Sequence, residues 1–572
     1  MHIKIYCIAG MLFFGLPASF AQQKRGADVN WITYEAEHMA TNGTVLGPRY
    51  GPYRVETESS GEECVKLTGK GQYLQFTPQA AANSMVIRYS LPDAIAGNGL
   101  SSTLGIYVNG KLVSRQTITS RYTWLYGKYP FTNDPSAGVP RRFYDEVRLM
   151  GISIKKDDVI RIQRDAADSA AWCIIDLVDL ENVAPPLTAP SNSLSLTDNS
   201  FLKQIVNGDY TAALRNCITQ AAATGKTIFI PAGNYKITGD ITLPANITIQ
   251  GAGMWYTNLV GDENLYTDAN RRLRIIGDGD NIHISDIALT GALNYRSDKE
   301  ANDGIVGSYG TNSTISNIWI EHTKVGMWIE NSKNLTITGC RMRNTMADGI
   351  NFCVGMSYST IQNCTARGTG DDCFAIWPTT FRTQLFSPGH NVISRCTGQL
   401  PYLANGAAVY GGDSNRVADC LFTDITPGSA ILISTTFPTE SRDKSINNNF
   451  SGTTVIERCD IKRSGGFDHE WDWRAAVEIC VDKRDITCVH IDSLNIDSSL
   501  SNAIAVIAKN DADKVGILSN TILQNIHVSD YGIGVKGKHG LYVSPGAHGS
   551  LIVSGTAISG VKNESPDFMI NK

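Results

Sequence analysis

The feature that most constrains the fold of this chain is a short alternating segment that recurs throughout its second half. Residues 334–340, 359–364, 391–396 and 415–420 each alternate polar and apolar side chains, and related segments follow to the C-terminus at a period of about 22–30 residues. Self-similarity at this period indicates a stack of coils, in which each coil buries its inward residues against its neighbours. The sequence therefore predicts an all-β protein whose second half is a parallel β-helix.

Cysteines mark the register of this repeat. Cys340, Cys364, Cys396, Cys420 and Cys459 occupy the same place in successive segments, so we expect them to form one inward-facing column. Strands about 4.8 Å apart would bring such thiols close together, but a free cysteine also packs well as a small hydrophobic residue. We expect core packing rather than disulfides at these positions.

A proline-rich segment divides the chain into two differently patterned parts. Residues 183–196 hold three prolines and no periodic pattern, which is typical of a linker. Before them, residues 28–182 show short alternating runs and an Asn-Gly turn signal, which predict a β-sandwich. After them, residues 197–572 begin with an amphipathic helix predicted over 210–225. The segment IFIPAGNY at 228–235 then resembles the first coil of pectate-lyase-like, right-handed parallel β-helices.

Residues 1–21 have the pattern of a secretory signal peptide. A weakly basic start is followed by an apolar run over 5–16 and by small residues before a cut after Ala21. The run is too short to cross a bilayer, so we expect a soluble secreted or periplasmic protein, monomeric and without a membrane partner. The formal net charge of −5 and the lack of a basic run argue against nucleic acid as a partner.

Acidic residues at both ends of the predicted sandwich form a candidate metal site. Glu35 and Glu37 lie two apart on the first predicted strand and therefore point to one face, and Asp176 lies on the last predicted strand. Hard oxygen ligands of this kind suit calcium. The two ends also resemble carbohydrate-binding module families 6 and 35, and the resemblance implies a glycan-binding module with a structural calcium. The alternative is an acidic, solvated strand edge.

Two coils of the repeat carry acidic residues in register. Asp348 and Asp372 each lie eight residues after a cysteine of the series, so we expect them side by side on adjacent coils, with Asp371 next to them. Carboxylates this close raise one another's pKa. A protonated carboxylic acid beside an ionised carboxylate is the pair that glycoside hydrolysis requires. The alternatives are a calcium site or a ladder of turn residues, since Asp303 precedes a similar Gly-Ile pair without an acidic neighbour.

The segments around these acids resemble a known enzyme family. ADGINF at 347–352 and GTGDDCFAIW at 368–377 are similar to the catalytic segments of glycoside hydrolase family 87, the inverting α-1,3-glucanases and mycodextranases. The resemblance implies hydrolysis of α-1,3-glucan or nigeran without a catalytic cofactor. It also implies that Asp371 is the general acid and that Asp348 and Asp372 hold the nucleophilic water as general bases. The register of the repeat alone does not choose among the three acids.

The substrate is expected to be a neutral α-glucan. Polygalacturonases share three comparable acids, but their Gly-His-Gly and Arg-Ile-Lys elements for an acidic sugar are missing from this chain. Trp377, Tyr410, Trp471 and Trp473 follow strands near the acids and are candidates for stacking on sugar rings. The aromatic-rich segment 120–130 is either a further glycan platform or a packing surface against the second domain.

Other functions are compatible with the same residues. Besides a polygalacturonase-like hydrolase, a polysaccharide lyase on this fold would use the acids to hold calcium and an Arg or Lys to abstract a proton. A non-catalytic glycan-binding protein would bind without releasing product, but it offers no reason for three carboxylates in register.

Overall fold

The computed structural model describes residues 25–572 apart from 438–442, 444, 468–472, 510–514, 536–537 and 556. The predicted signal peptide, residues 1–21, and the candidate stacking residue Trp471 lie outside the described residues. The rest is almost entirely β-structure: a β-sandwich is followed by a right-handed parallel β-helix, which confirms the predicted fold class.

The N-terminal domain is a sandwich of two antiparallel sheets. The first sheet consists of Trp31–Glu35, Thr44–Leu46, Cys64–Leu67, Ala82–Ser90, Asp145–Ile154 and Cys173–Glu181. The second consists of Ala40–Thr41, Tyr73–Phe76, Ser101–Val108, Lys111–Thr119 and Ile160–Gln163. A short hairpin pairs Leu125–Tyr126 with Pro140–Arg141, and single 3-10 turns occur at Ala36–His38, Glu56–Glu58, Ser60–Glu62 and Pro135–Ala137.

The first sheet of the sandwich is covered on both faces. All nine residues of the strand Cys173–Glu181 are buried. Val178 and Leu180 point into the sandwich core, whereas Asp179 and Glu181 pair with arginines of the β-helix. Because alternate residues of a strand face opposite sides, one strand serves both the core and the domain interface.

Each coil of the β-helix contributes strands to three parallel stacks. Two stacks form one sheet, whose strands in the described residues are Ser193–Ser195, Thr227–Ile230, Gly233–Ile237, Thr248–Gly251, Thr257–Gly261, His283–Thr290, Thr314–Glu321, Thr336–Thr338, Arg341–Arg343, Thr360–Gln362, Thr365–Arg367, Val392–Ser394, Thr397–Gln399, Arg416–Ala418, Leu421–Thr423, Thr454–Glu457, Asp460–Lys462, Ile486–Thr487, Val489–Asp492, Asn495–Asp497, Ile517–Gln524, His527–Val528, His548–Ser554 and Phe568–Asn571. The third stack forms a separate sheet of Asp240–Pro244, Arg274–Asp278, Gly304–Thr311, Met327–Lys333, Ile350–Phe352, Phe374–Ile376, Ala407–Val409, Ile431–Ser434, Val477–Val481, Ile504–Ala508, Leu541–Val543 and Val561–Asn563.

The predicted cysteine column lies inside the coils. Cys340, Cys364, Cys396, Cys420 and Cys459 are all buried, and each thiol lies within hydrogen-bond distance of the carbonyl oxygen two residues before it. All twelve cysteines in the described part of the chain are free. The prediction of core packing rather than disulfides is therefore confirmed.

The start of the β-helix differs slightly from the predicted linker. The strand Ser193–Ser195 lies within residues 183–196, yet it pairs in parallel with Thr227–Ile230 and is the first strand of the large sheet. The helices in this region are Asn199–Leu202 and Thr211–Thr224. The second confirms the predicted helix and ends at Gly225, whose φ of 64° is favourable for glycine. In the described residues, no helix is long and apolar enough to cross a membrane.

Buried ion pairs dock the sandwich on the coils that carry the candidate acids. Arg341 donates two hydrogen bonds to Glu181, at 2.7 and 2.9 Å. Arg367 reaches Glu146 at 2.6 Å and Asp179 at 2.7 Å, and all three side chains are buried. Both arginines lie at the ends of short β-helix strands, so the interface is built on the strands that lead into the candidate active site.

Candidate active site

The three predicted acids meet at the edge of the third stack. Ile350–Phe352 pairs in register with Phe374–Ile376, which places Asp348 and Asp372 at equivalent positions two residues before their strands. One carboxylate oxygen from each of Asp348, Asp371 and Asp372 lies within 4.8 Å of the other two. The register predicted from the cysteine column is therefore confirmed.

Asp348 and Asp372 are buried and differ in their partners. Burial, followed by the charges of Asp371 and Asp372, raises the pKa of Asp348 well above its ordinary value. Burial and the charge of Asp371 raise the pKa of Asp372 to about 7. Hydrogen bonds oppose this rise: Asn405 donates from its side chain at 2.7 Å and from its backbone at 3.1 Å, and the Tyr410 hydroxyl donates at 2.9 Å.

Asp371 is more open and has a cationic partner. Its side chain is 29% exposed, and its Oδ2 atom accepts a hydrogen bond from Nη2 of Arg296 at 2.7 Å. Arg296 is itself buried and also donates to the carbonyl oxygen of Gly370 at 2.5 Å. The guanidinium and the carboxylate therefore form a charge-assisted hydrogen bond that orients the Asp371 side chain.

The acids lie between two adjoining cavities. The larger, of about 610 Å³, is lined by all three acids and by aromatic side chains including Trp328, Trp377 and Phe381. The smaller, of about 260 Å³, is lined by Asp371 and by apolar residues including Phe131, Leu403 and Leu432. Residues Tyr129, Asp371, Tyr410 and Phe437 line both cavities. The two cavities therefore adjoin at Asp371, and together they offer room for more than one sugar.

The structure places the candidate sugar-stacking residues in different surroundings. Trp377 lines the larger cavity and packs edge-on against Trp328, with ring centres 5.8 Å apart. Tyr410 also lines it, but its ring is only 5% exposed and its hydroxyl orients Asp372, so it serves the acid rather than a sugar face. Trp473 packs against Phe467 and lines neither cavity.

The sequence analysis did not identify three residues that line the cavities, because they lie in segments far from the acids in sequence: Arg296, Phe437 and Tyr129. Arg296 lies in the loop over 291–302 and Phe437 opens the segment 437–449, and no repeat fixes the conformation of either. Tyr129 comes from the other domain, in the aromatic-rich segment 120–130. The same segment supplies Tyr122, which stacks on His322 of the β-helix with ring centres 4.1 Å apart. Most of this segment is thus a packing surface against the β-helix. Its aromatic composition is the sequence feature that could have pointed to Tyr129.

The predicted calcium residues surround the turn Ser60–Glu62. Ser60 donates to Glu35 from its hydroxyl at 3.0 Å and to Asp176 from its backbone at 2.8 Å. Oε2 of Glu35, Oε2 of Glu37 and both carboxylate oxygens of Glu62 are buried without a hydrogen-bond partner. Burial is the main reason why the pKa of Glu35 is raised to about 8 and that of Glu37 to about 7. These oxygens are chemically suited to a hard cation.

The geometry of this second cluster is not the one predicted. Asp176 forms a buried ion pair with Arg88, and Glu62 lies 3.7 Å from Nε of Arg463. Among the described residues, only the trio at the cavities brings oxygens of three acids within 4.8 Å of one another. Glu62 is a buried acid that the sequence analysis did not include. Its oxygens accept no hydrogen bond, which makes it a better candidate ligand than Asp176.

A parallel β-helix that presents three converging carboxylates beside two cavities has the acids that glycoside hydrolysis requires, which places the protein in the class of polysaccharide-cleaving enzymes. The sequence matches the family described as α-1,3-glucanase catalytic domain D1 over residues 28–183 and domain D2 over residues 206–572. The chain therefore belongs to the α-1,3-glucanases of glycoside hydrolase family 87, and it is a glycoside hydrolase. A comparison with curated proteins returns no match.

Solved structures agree over nearly the whole chain. The Agl-KA catalytic domain is 25% identical with a TM-score of 0.80, covering 96% of this chain and 98% of that one. A family 87 α-1,3-glucanase catalytic domain, an Asp-to-Ala variant in complex with tetrasaccharides, is 28% identical with a TM-score of 0.81 and coverages of 96% and 99%. The enzyme from Streptomyces thermodiastaticus strain HF3-3 is 27% identical, with a TM-score of 0.74 and 96% coverage of both chains. The sandwich and the β-helix thus recur together in those catalytic domains.

Proposed function

We propose that this protein is an exported endo-α-1,3-glucanase that cleaves neutral α-glucans, either α-1,3-glucan or nigeran, with inversion. The observation that carries the proposal is the acid trio between two cavities, in a chain of this family. A second cavity that adjoins the first at Asp371 gives a polymer room beyond the acids, which suits attack within a chain. A related catalytic domain has been solved in complex with nigerose, an observation that concerns that protein and supports the substrate class here.

The charges of the larger cavity favour a neutral substrate. Four basic residues line it. Three are arginines paired with acids, Arg274 with Asp240 at 2.8 Å, Arg296 with Asp371 at 2.7 Å and Arg382 with Glu330 at 3.3 Å, and the fourth, Lys324, donates to the carbonyl oxygen of Glu300 at 2.7 Å. A uronate polymer would need basic groups available for its carboxylates. Family membership likewise favours a glycosidase over the lyase, polygalacturonase-like and non-catalytic alternatives.

The test of this function is an analysis of products from a panel of polysaccharides. The purified protein is incubated with α-1,3-glucan, nigeran, α-1,4-glucan, β-glucans and pectin, and products are separated by mass. We expect oligosaccharides with new reducing ends from α-1,3-linked substrates alone. Release of unsaturated sugars absorbing in the ultraviolet, or cleavage of pectin, would overturn the proposal.

We assign proton donation to Asp371 and water activation to Asp348 and Asp372. Asp371 is the most exposed acid and lies where the two cavities join, which suits contact with a glycosidic oxygen. The donors around Asp372, Tyr410 and Asn405, stabilise its ionised form, as a general base requires.

One observation favours a second assignment. Asp371 accepts a hydrogen bond from Arg296, whereas Asp348 is buried and its pKa is raised well above its ordinary value. The free enzyme would then carry its proton on Asp348, which either donates it directly or passes it to Asp371, since oxygens of the two acids lie within 4.8 Å. In both schemes, an ionised carboxylate of the cluster takes a proton from water, and a protonated carboxylic acid of the cluster gives a proton to the leaving oxygen. The cluster therefore holds the same number of protons, and the same charge, after each cleavage.

The stereochemical outcome is a separate proposal. Inverting enzymes usually hold their carboxyl groups about 6.5–9.5 Å apart, and the trio here is closer, so inversion rests on the family resemblance and on two acids sharing one water. Nuclear magnetic resonance of the first product formed would show the β-anomer. An initial α-anomer would contradict inversion without affecting the substrate assignment.

We also propose that the cluster around Ser60–Glu62 holds a structural calcium ion through Glu35, Glu37 and Glu62, with Asp176 nearby. Its support is the set of buried carboxylate oxygens without partners. The ion would neutralise repulsion beside the domain interface and takes no part in catalysis.

Export through residues 1–21 and a monomeric state complete the proposal. N-terminal sequencing of the exported protein tests the first point, and light scattering tests the second.

A further inference from the structure

The N-terminal domain contributes Tyr129 to both cavities and Phe131 to the smaller one. Tyr129 lines both cavities and its ring is 44% exposed. Its hydroxyl accepts a hydrogen bond from Nη2 of Arg296 at 2.8 Å and donates one to Asp298. The guanidinium of Arg296 also lies 4.8 Å from the centre of the Tyr129 ring, at a distance that allows a cation–π contact.

Arg296 in turn holds both loops that carry the acids. Its Nη1 atom donates to the carbonyl oxygen of Gly370 at 2.5 Å and to that of Met346 at 3.3 Å. Its Nη2 atom donates to Asp371 at 2.7 Å, and its Nε atom donates to Asp298 at 3.1 Å. Met346 lies two residues before Asp348, so one buried guanidinium fixes the backbone beside one acid and the carboxylate of another.

We propose that Arg296, held in place by Tyr129 of the N-terminal domain, is a positioning residue for Asp371, so that the sandwich takes part in building the active site. The inference rests on the proposed glycosidase function and adds to it a role for a residue from each domain. A planar guanidinium suits this position because it reaches two carbonyl oxygens and a carboxylate in fixed directions, which a lysine does not.

Substituting Arg296 should have an effect on the pH dependence of catalysis that substituting a purely structural residue would not have. The charged or titratable groups that face Asp371 are Asp348, Asp372, Arg296, Tyr129, Tyr402 and Tyr410. Arg296 is the only cation in this described set. Arg296 donates to the carboxylate of Asp371 and opposes the rise in the pKa of Asp348, so without it the limb of the pH–rate profile that belongs to this acid cluster moves to higher pH.

The main experiment measures kcat/KM against pH for the wild-type protein and for Arg296→Gln, with soluble α-1,3-linked oligosaccharides as substrate. Movement of the alkaline limb supports the inference and shows that Arg296 acts on the proton donor of the cluster. Movement of the acidic limb also supports the inference, but it shows that Arg296 acts on a base of the cluster. If neither limb moves in a folded variant, the inference is wrong. An inactive wild-type protein would instead contradict the proposed function.

Two further variants keep the inference testable if Arg296→Gln does not fold. Tyr129→Phe keeps the ring and removes the hydroxyl that contacts Arg296; we expect kcat to fall several-fold with little change in KM. Unchanged kcat, KM and pH limits in this variant would overturn the part assigned to the N-terminal domain. The matched control is Arg121→Gln, which removes a partly exposed ion pair with Glu263 that also crosses the domains but lies outside both cavities. Its pH profile is expected to equal that of the wild type.

Discussion

The hydrogen bond from Tyr410 to Asp372 has a measurable effect on the pH dependence of catalysis. The Tyr410 hydroxyl donates to Oδ2 of Asp372 at 2.9 Å, and both groups are buried. Burial and the charge of Asp371 raise the pKa of Asp372 to about 7, and the bond opposes this rise because it stabilises the ionised form. Tyr410→Phe removes the donor and keeps the ring, so the pKa of Asp372 should rise further.

The size of the change follows from the strength of such bonds. A hydrogen bond to a charged group contributes about 1.5–3 kcal/mol, and one pKa unit corresponds to about 1.4 kcal/mol. The pKa of Asp372 should therefore rise by about 1–2 units. If Asp372 is a general base, it must be ionised, so the acidic limb of the profile should move up by the same amount. Below that limb the rate falls about 10–100-fold relative to wild type, while at high pH the two rates approach each other.

The assay is the release of reducing ends from an α-1,3-glucan across a pH series, with folding checked by circular dichroism. Tyr309→Phe is the control, because the Tyr309 hydroxyl is buried without a hydrogen-bond partner and contacts no acid. Its profile should be unchanged. A folded Tyr410→Phe protein with wild-type limbs would refute the reasoning, and movement of the alkaline limb alone would show that Asp372 is the donor.

Three further predictions concern the acids, the domain interface and the metal. Asp371→Asn should lower turnover of polysaccharide by several orders of magnitude, but less for a substrate with an activated leaving group; equal losses on both substrates, measured as kcat, would contradict proton donation. Arg367→Gln leaves the buried Asp179 without its ion-pair partner and leaves Glu146 with Arg343 alone, so it should destabilise the protein by about 3–5 kcal/mol. Arg416→Gln, at an exposed pair with Glu457, should cost about 1 kcal/mol or less, and similar melting temperatures for the two variants would refute this. Removing calcium with a chelator should lower the melting temperature of the full chain, and Glu62→Gln should reduce that response; a melting temperature insensitive to the chelator would count against the ion.

The fold and the acid trio could be predicted because a repeat converts sequence spacing into spatial register. Cys340 and Cys364 occupy one column, so equal offsets from them place Asp348 and Asp372 side by side. The Asp-Gly-Ile motif alone would not have identified a catalytic acid. Asp303 precedes the same Gly-Ile pair, yet it is fully buried and accepts hydrogen bonds from Tyr266 at 2.6 Å and from the backbone of Lys324 at 2.8 Å.

The remainder of the site could not be predicted because it depends on contacts between segments distant in sequence. Arg296 and Asp371 are 75 positions apart, and Tyr129 is 167 positions from Arg296. No spacing rule relates such residues. The same limitation explains Tyr410, which the sequence suggested as a platform for sugars, since only the folded chain shows its hydroxyl directed at Asp372.

The domain interface and the active site depend on the same strands. Arg343 ends one β-helix strand five residues before Asp348, and Arg367 ends the next five residues before Asp372. Both arginines pair with Glu146 of the sandwich, and all three side chains are buried. Ion pairs buried in this way depend on geometry, because a misplaced partner leaves a charge without compensation. We therefore infer that correct docking of the sandwich constrains the strands on which the acids are mounted, and that the two domains act as one catalytic unit rather than as an enzyme with a detachable binding module.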